Sequence, residues 1–226
     1  MTTLMTDPQK RPVLAQLYQL HEQYIRTMDI ACGKYCHDCC TTNVTMTTLE
    51  GDYILSGLSP ENSAEIMPLV RRQLKNPRFI PSLTTNRIAQ ACRNGEDLAD
   101  EQAPADPGPC PLLHEGLCRI YPVRPFGCRC MVSSAPCRRT GWAETDPVTL
   151  TINTLFLQVI EHVDQDGFSG NLADVLAWVD AKRDPDSPRP PVSGLAPNTP
   201  IPALIIPPEH RERVMPIIIA IRALSV

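Results

Sequence analysis

The feature that most constrains this chain is a nine-residue stretch, 32–40, that contains four cysteines: Cys32, Cys36, Cys39 and Cys40. Thiols this close in sequence can surround one metal ion or cluster, because a short loop then supplies several sulfur ligands. The alternative is a set of small buried side chains, since free cysteine is among the most buried residue types. Four thiols in so short a segment, ending in an adjacent pair, favour the metal site.

The cellular compartment decides how these thiols are interpreted. The chain has 10 cysteines in 226 residues, a number that would indicate disulfides in a secreted protein. Residues 1–4 open no basic region followed by an apolar run, so we expect a cytoplasmic, reducing location. The most apolar segment, 214–224, contains Pro216 and Arg222 and is too short to span a bilayer. Clustered cysteines in a reducing compartment are typical of metal ligands.

Charge and motif content narrow the function classes. The formal net charge is −4 and the basic residues are scattered, which argues against binding to nucleic acid. The chain has neither a glycine-rich phosphate loop nor a Ser-His-Asp signature. Whether the protein is an enzyme therefore stays open at this point. Aromatic residues make up only 5% of the chain, so we expect an aliphatic core.

Apolar periodicity predicts a mostly α-helical fold. Apolar residues from Val13 to Met28 recur at three- and four-residue spacing, with Pro12 expected in the first helical turn. Thr47 and Glu50 form a Ser/Thr-x-x-Glu capping box, which predicts a helix start. Cys92 is expected to fill the core from one of the later helices. Those later helices are predicted over 61–76, 84–95, 148–165 and 172–181, and a short extended piece over 41–46.

A second cysteine block follows a polar, proline-containing loop. A Glu-Gly turn at 115–116 separates two apolar runs, which predicts a small hairpin with Cys110 and Cys118 on its arms. Cys128, Cys130 and Cys137 come shortly after it. We therefore expect a small, irregular, cysteine-rich metal-binding core built of hairpin and knuckle elements within the helical protein.

The composition changes near residue 182. Nine prolines lie between Asp184 and Pro208, a density typical of a semi-rigid extended segment. We divide the chain into a helical cysteine-cluster domain, 1–182, with its motifs in 32–142, and a proline-rich arm, 183–226. The arm ends in a short apolar segment that would dock on the body or on a protein partner.

Together the two cysteine blocks carry a family resemblance. The pattern Cys32-x3-Cys36-x2-Cys39-Cys40, followed by Cys118-Arg-Ile-Tyr-x2-Arg-Pro-x2-Cys128-Arg, resembles the YkgJ-like cysteine-cluster family. That family is described as a zinc- or iron-chelating domain. Cys110-Pro-Leu and Cys137 with the following Arg and Trp are similar to its remaining elements. The likeness covers roughly residues 30–145, and the first spacing is x3 where the family often has x2.

The resemblance implies an iron–sulfur cluster or zinc, and it supplies the candidate ligands. Cys92 and Cys130 match nothing in the family pattern. Eight thiols fit two four-thiolate sites or one cluster with extra ligands. Adjacent residues point in different directions on most backbones, so Cys39 and Cys40 are predicted to reach different metals or different edges of a cluster. The candidates are Cys32, Cys36, Cys39, Cys40, Cys110, Cys118, Cys128 and Cys137.

Three functions follow from this chemistry. The first is a metal-cluster protein, iron–sulfur or zinc, with a redox, metal-handling or modification role. The second is a structural zinc module that presents the arm to a partner. The third is an enzyme with a site-differentiated cluster, because the Cys-x3-Cys-x2-Cys spacing equals that of radical S-adenosylmethionine enzymes, although the strand–helix repeats of their barrel are missing.

Neighbouring polar residues have two interpretations each. His37 is a metal ligand, a hydrogen-bond donor to one, or a solvated loop residue. Arg124 and Arg129, on either side of Cys128, would neutralise a thiolate-rich centre; for Arg124 the alternative is a buried ion pair. If metal ties the two blocks together, its loss is expected to unfold the domain.

Overall fold

The computed structural model describes residues 7–33, 35–183 and 192–224. It is about half helical with a small sheet, so the prediction of a mostly α-helical fold is confirmed. The helices are α1 (Asp7–Ile25), α2 (Thr48–Ser56), α3 (Pro60–Gln73), α4 (Thr85–Asn94), α5 (Phe126–Arg129), α6 (Cys137–Thr140), α7 (Pro147–Val163), α8 (Leu172–Arg183) and α9 (Arg211–Arg222). The strands are β1 (Thr45–Thr47), β2 (Leu113–His114), β3 (Leu117–Cys118), β4 (Phe168–Asn171) and β5 (Leu195–Pro197).

Helix starts follow their capping residues. The Thr47 side chain accepts a hydrogen bond from the Glu50 amide, and the Glu50 side chain bonds back to Thr47, so the predicted capping box is confirmed. The Ser59 and Thr84 side chains cap α3 and α4 by accepting from the amides of Asn62 and Arg87. The first helix begins at Asp7, so Pro12 lies inside it rather than in its first turn.

The five strands form two small sheets. Strands β2 and β3 form the predicted hairpin, with Leu113 opposite Cys118. Strands β1, β4 and β5 form an antiparallel three-stranded sheet in that order, and only β1 had a sequence signal. Gly170 lies where β4 meets β5, and a Cβ there would overlap the Leu195 side chain. The small glycine therefore lets Leu195 pack closely over the paired strands, and a larger residue would displace that side chain.

Two hydrophobic clusters make up the interior. The first lies between α1, α7 and α9 and includes Leu17, Phe156 and Val214. The second lies between α2, α3 and α8. The cysteine-rich segment joins both, because Phe126 is buried in the first cluster and Leu112 and Ile120 are buried in the second. Each such side chain contributes about 1.5–3 kcal/mol through burial, so these three residues anchor the segment to the body.

The described part of the expected proline-rich arm packs on the body. Strand β5 pairs with β4, and α9 buries Val214, Ile218 and Ile221 against α1 and α7. Residues 184–191, 225 and 226 of that arm lie outside the described residues.

Within the described ranges, the helices are all too short or too polar to cross a bilayer.

Candidate metal centre

The loop that carries the first four cysteines lies against the second block. The Cys110 amide donates to the Cys40 carbonyl at 2.9 Å, and the Thr42 amide donates to the Gly108 carbonyl at 3.0 Å. At the start of the loop, directly before Cys32, the Ala31 amide donates to the Ser133 carbonyl at 2.8 Å. The fold therefore brings together cysteines that are far apart in sequence.

The effects of the thiols on one another's pKa values let us assign the eight candidates to two groups of four. In the first, which we call the Cys36 group, burial raises the pKa of the Cys32 thiol, and the nearby thiols of Cys36, Cys137 and Cys39 raise it further. These four residues define the group. Three come from the first block and Cys137 comes from the start of α6.

The second set, the Cys110 group, consists of Cys40, Cys110, Cys118 and Cys128. The thiols of Cys110, Cys128 and Cys118 all act to raise the pKa of the Cys40 thiol. Burial raises the pKa of Cys128 strongly, with Cys110 and Cys118 adding to it. Burial also raises the pKa of Cys110 to about 11. Here one cysteine of the first block joins three of the second.

Cys39 and Cys40 link the two groups. A hydrogen bond between their thiols is the main reason why the pKa of Cys39 is raised and that of Cys40 is lowered. Cys39 acts on the pKa of Cys32 in one group and of Cys128 in the other, so the prediction that Cys39 and Cys40 reach different metals stays a prediction.

The side-chain positions themselves do not yet define a coordination sphere. In the part of the chain that the structure describes, no three Cys, His, Asp or Glu side chains are placed to hold one metal ion. The 10 cysteines are free thiols. Metal binding would therefore require rotation of the cysteine side chains and loss of their protons, which a bound cation favours.

Arg124 supplies a cation beside the Cys110 group. Its guanidinium lies 3.8 Å from the centre of the Tyr121 ring, and its charge lowers the pKa of Cys118 and of Cys128. Its Nε is buried and has no hydrogen-bond partner among the described residues. An unpartnered buried donor is costly, and a nearby thiolate would provide the acceptor. The residues present thus fit an anionic thiolate centre.

Arg129, expected in the same role, directs its hydrogen bonds to backbone carbonyls. Its Nε donates to the Arg124 carbonyl at 2.8 Å, and its Nη2 donates to the Pro122 carbonyl at 2.9 Å. The guanidinium lies 4.2 Å from the centre of the Tyr18 ring. Arg129 therefore braces the loop that precedes α5.

His37 contacts a cation rather than the thiols. Its Nε2 lies 3.0 Å from Nη2 of Arg138, whose Nε donates to Asp38 at 2.8 Å. The ring also lies beside Gly116 in the turn of the hairpin. His37 and Asp38 thus connect the first loop to α6 and to the hairpin.

Glu50 is a residue whose second role the sequence did not reveal. Besides capping α2, its buried carboxylate accepts from the Phe126 amide at 2.6 Å and from the Tyr18 hydroxyl at 2.8 Å. It therefore satisfies the first amide of α5, the helix that carries Cys128. The capping-box pattern predicts only the local contact between Glu50 and Thr47. The contacts of Glu50 with Phe126 and Tyr18 could not be predicted, because they depend on the tertiary fold.

The two cysteines outside the family pattern lie in different environments. Cys92 is exposed on α4, so the prediction that it fills the core is wrong; Ala89 and Ala91 form the buried face. Cys130 is half-buried, and its thiol lies 3.6 Å from the Gly127 carbonyl. Burial raises its pKa to about 12, which makes it a poor thiolate.

Comparison of the chain with family models, with curated proteins and with solved structures found no match. The likeness to the YkgJ-like family rests on the motifs quoted above.

Proposed function

We propose that this chain is a metal-binding protein that chelates iron–sulfur clusters or zinc through eight cysteines arranged as two four-thiolate centres. The observation that carries the proposal is the composition of the Cys36 and Cys110 groups. Each contains four thiols, and each combines cysteines from both sequence blocks.

Four thiolates are a complete ligand set. They satisfy tetrahedral zinc, and they also satisfy a two-iron or four-iron cluster. A cluster would supply one-electron redox chemistry, whereas zinc would supply cross-linking of the loops. A complete set leaves no open position for substrate, so the arrangement favours redox or structural roles over an enzyme with a site-differentiated cluster.

Arg124 supports the same proposal. A centre with four thiolates carries net negative charge, and a cation within the same buried region offsets part of it. Arg124 has a buried Nε without a hydrogen-bond partner in the described part of the chain, and its charge lowers the pKa of Cys118 and of Cys128. The expected consequence is an N–H···S hydrogen bond in the metal-bound protein.

The experiment is anaerobic purification followed by measurement of zinc, iron, acid-labile sulfide and the visible absorption spectrum. Iron with sulfide in a brown protein identifies clusters, and stoichiometric zinc in a colourless protein identifies a structural centre. Freshly prepared anaerobic protein that contains neither metal contradicts the proposal.

A pair of variants tests the division into two groups. Cys118→Ser removes one ligand of the Cys110 group, so about half of the bound metal should be lost while the Cys36 group keeps its share. Cys92→Ser, at an exposed thiol outside both groups, should retain all of it. Equal metal content in both variants would contradict the assignment.

A further inference from the structure

A second candidate site lies on the helical body. A cavity of about 300 Å³ is enclosed by α1, α2, α8 and the turn that precedes β4. No cysteine lines it. Its volume is at the lower end of the range for small-molecule sites, so its occupant would be of metabolite size. This cavity is separate from the proposed metal centre.

The carboxylates at this cavity already have partners. Asp52 accepts from Arg11 at 2.6 Å and from Arg183 at 2.7 Å. Asp164 accepts from the Thr48 hydroxyl at 2.7 Å and also from the Leu49 amide and the Asn198 side chain. Because Asp52 and Asp164 are engaged in this way and Asp166 pairs with Lys10, the three carboxylates of the cavity do not call for a bound cation.

One donor at the cavity lacks an acceptor among the described residues, and a second forms an ion pair that is longer than a hydrogen bond. The indole Nε1 of Trp178 is buried and has no hydrogen-bond partner among the described residues. The Lys10 side chain is only 6% exposed, and its ammonium lies 3.6 Å from Asp166, beyond hydrogen-bond distance. Burying such donors costs free energy unless an acceptor reaches them. A ligand that brings oxygen acceptors would remove this cost.

The remaining lining adds two cations, which balance the carboxylates, and apolar surface. The Lys182 ammonium lies 5.2 Å from the centre of the Trp178 ring, and Arg183 closes one side. Leu49 and Val179 contribute apolar walls. An anionic oxygen group would meet the Lys10 ammonium and the Trp178 N–H. The apolar walls match a short carbon skeleton attached to that group, rather than a bare inorganic ion.

We infer that this cavity binds a small organic anion through a carboxylate, which pairs with the Lys10 ammonium and accepts from the Trp178 indole N–H. The carbon part of the ligand lies against Leu49 and Val179.

Isothermal titration of the full chain with succinate, at constant ionic strength against potassium chloride, tests the inference. Saturable binding is expected for the wild type. Lys10→Met should weaken it at least tenfold, because the buried cation is lost and the side-chain length is kept. Lys75→Met, at an exposed lysine outside the cavity, should leave it unchanged.

Trp178→Phe gives a second, independent test. It removes an N–H that has no partner in the described protein, so folding loses no hydrogen bond, while succinate binding should weaken about fivefold, in the range of one hydrogen bond. Absence of saturable succinate binding, equal affinity in Lys10→Met, or tighter binding of inorganic phosphate than of succinate would each overturn the inference.

Discussion

Phe126 is the side chain through which the cysteine-rich segment meets the larger core, and its replacement by alanine should be strongly destabilising. The ring is fully buried, with centroid distances of 4.7 Å to His21 and 5.6 Å to Phe156. Burial loss and the cavity left by Phe→Ala typically cost about 3–5 kcal/mol. The two lost aromatic contacts, worth about 0.5–1.5 kcal/mol each, place this site in the upper half of that range.

Denaturant unfolding of chelator-treated protein measures this effect without a contribution from metal. Phe126→Ala should lower the free energy of unfolding by about 4 kcal/mol. Trp142→Ala is the matched aromatic control; its side chain is 68% exposed, so a change within about 0.5 kcal/mol is expected. In metal-loaded protein, Phe126→Ala should also release metal to a chelator faster than Trp142→Ala does, because Cys128 lies on the same short helix. A loss below about 1 kcal/mol for Phe126→Ala would refute the reasoning.

Three further outcomes are expected. Gly127→Ala should lower the free energy of unfolding by about 1–3 kcal/mol, because its Cβ would lie 2.7 Å from the Thr45 carbonyl oxygen; denaturant melts measure this. Burial lowers the pKa of His21 below its usual 6.5, so the folded state binds its proton less well than the unfolded state, and stability should fall as the pH drops below 6.5. Unfolding curves at pH 7.5 and 5.5 should show a smaller fall for His21→Gln. Chelation of metal should preserve the helical circular dichroism signal.

Controls distinguish these effects from general disruption. Gly108→Ala adds a methyl group whose nearest neighbour is 4.0 Å away, so its unfolding free energy should match the wild type. If it falls as far as that of Gly127→Ala, the close approach of α5 to β1 is not the cause. If wild type and His21→Gln respond equally to acid, the stability loss comes from other groups.

The helices could be predicted from the sequence because their signals are local. The Thr47 capping box and the apolar spacing around Leu14 and Leu17 need only neighbouring residues. The sheet could not be predicted in full, since β4 and β5 have only four and three residues. Ser169 and Gly170 within β4 also lack the alternation of a half-buried strand.

The candidate ligands could be named from the sequence, but their grouping could not. Cys137 joins Cys32 because the backbone near Ser133 pairs with Ala31, and Cys40 joins Cys110 through a direct backbone hydrogen bond. Both contacts depend on the packing of distant segments. The hydrogen bonds of Arg129 could not be predicted for the same reason, because the backbone carbonyls that it contacts come into reach only in the folded loop.

The buried side chains of the second block argue against the expectation that metal loss unfolds the whole domain. Leu112, Ile120 and Phe126 hold the second block in the two hydrophobic clusters without help from any thiol. In the described residues of 31–44, by contrast, only Thr42 is buried. Hydrogen bonds such as that from Cys110 to Cys40 contribute about 0.5–1.5 kcal/mol each, so ligation would supply most of the stability of this loop.

Removal of metal should therefore release the first loop while the helical body stays folded. Hydrogen exchange of the amides in 31–44 should accelerate on chelation, and exchange in α7 should stay slow because its apolar face lies in the first cluster. Metal binding would then control whether the first loop is ordered, while the rest of the fold would not depend on it. Loss of the helical circular dichroism signal in the same step as metal release would show instead that ligation supports the body.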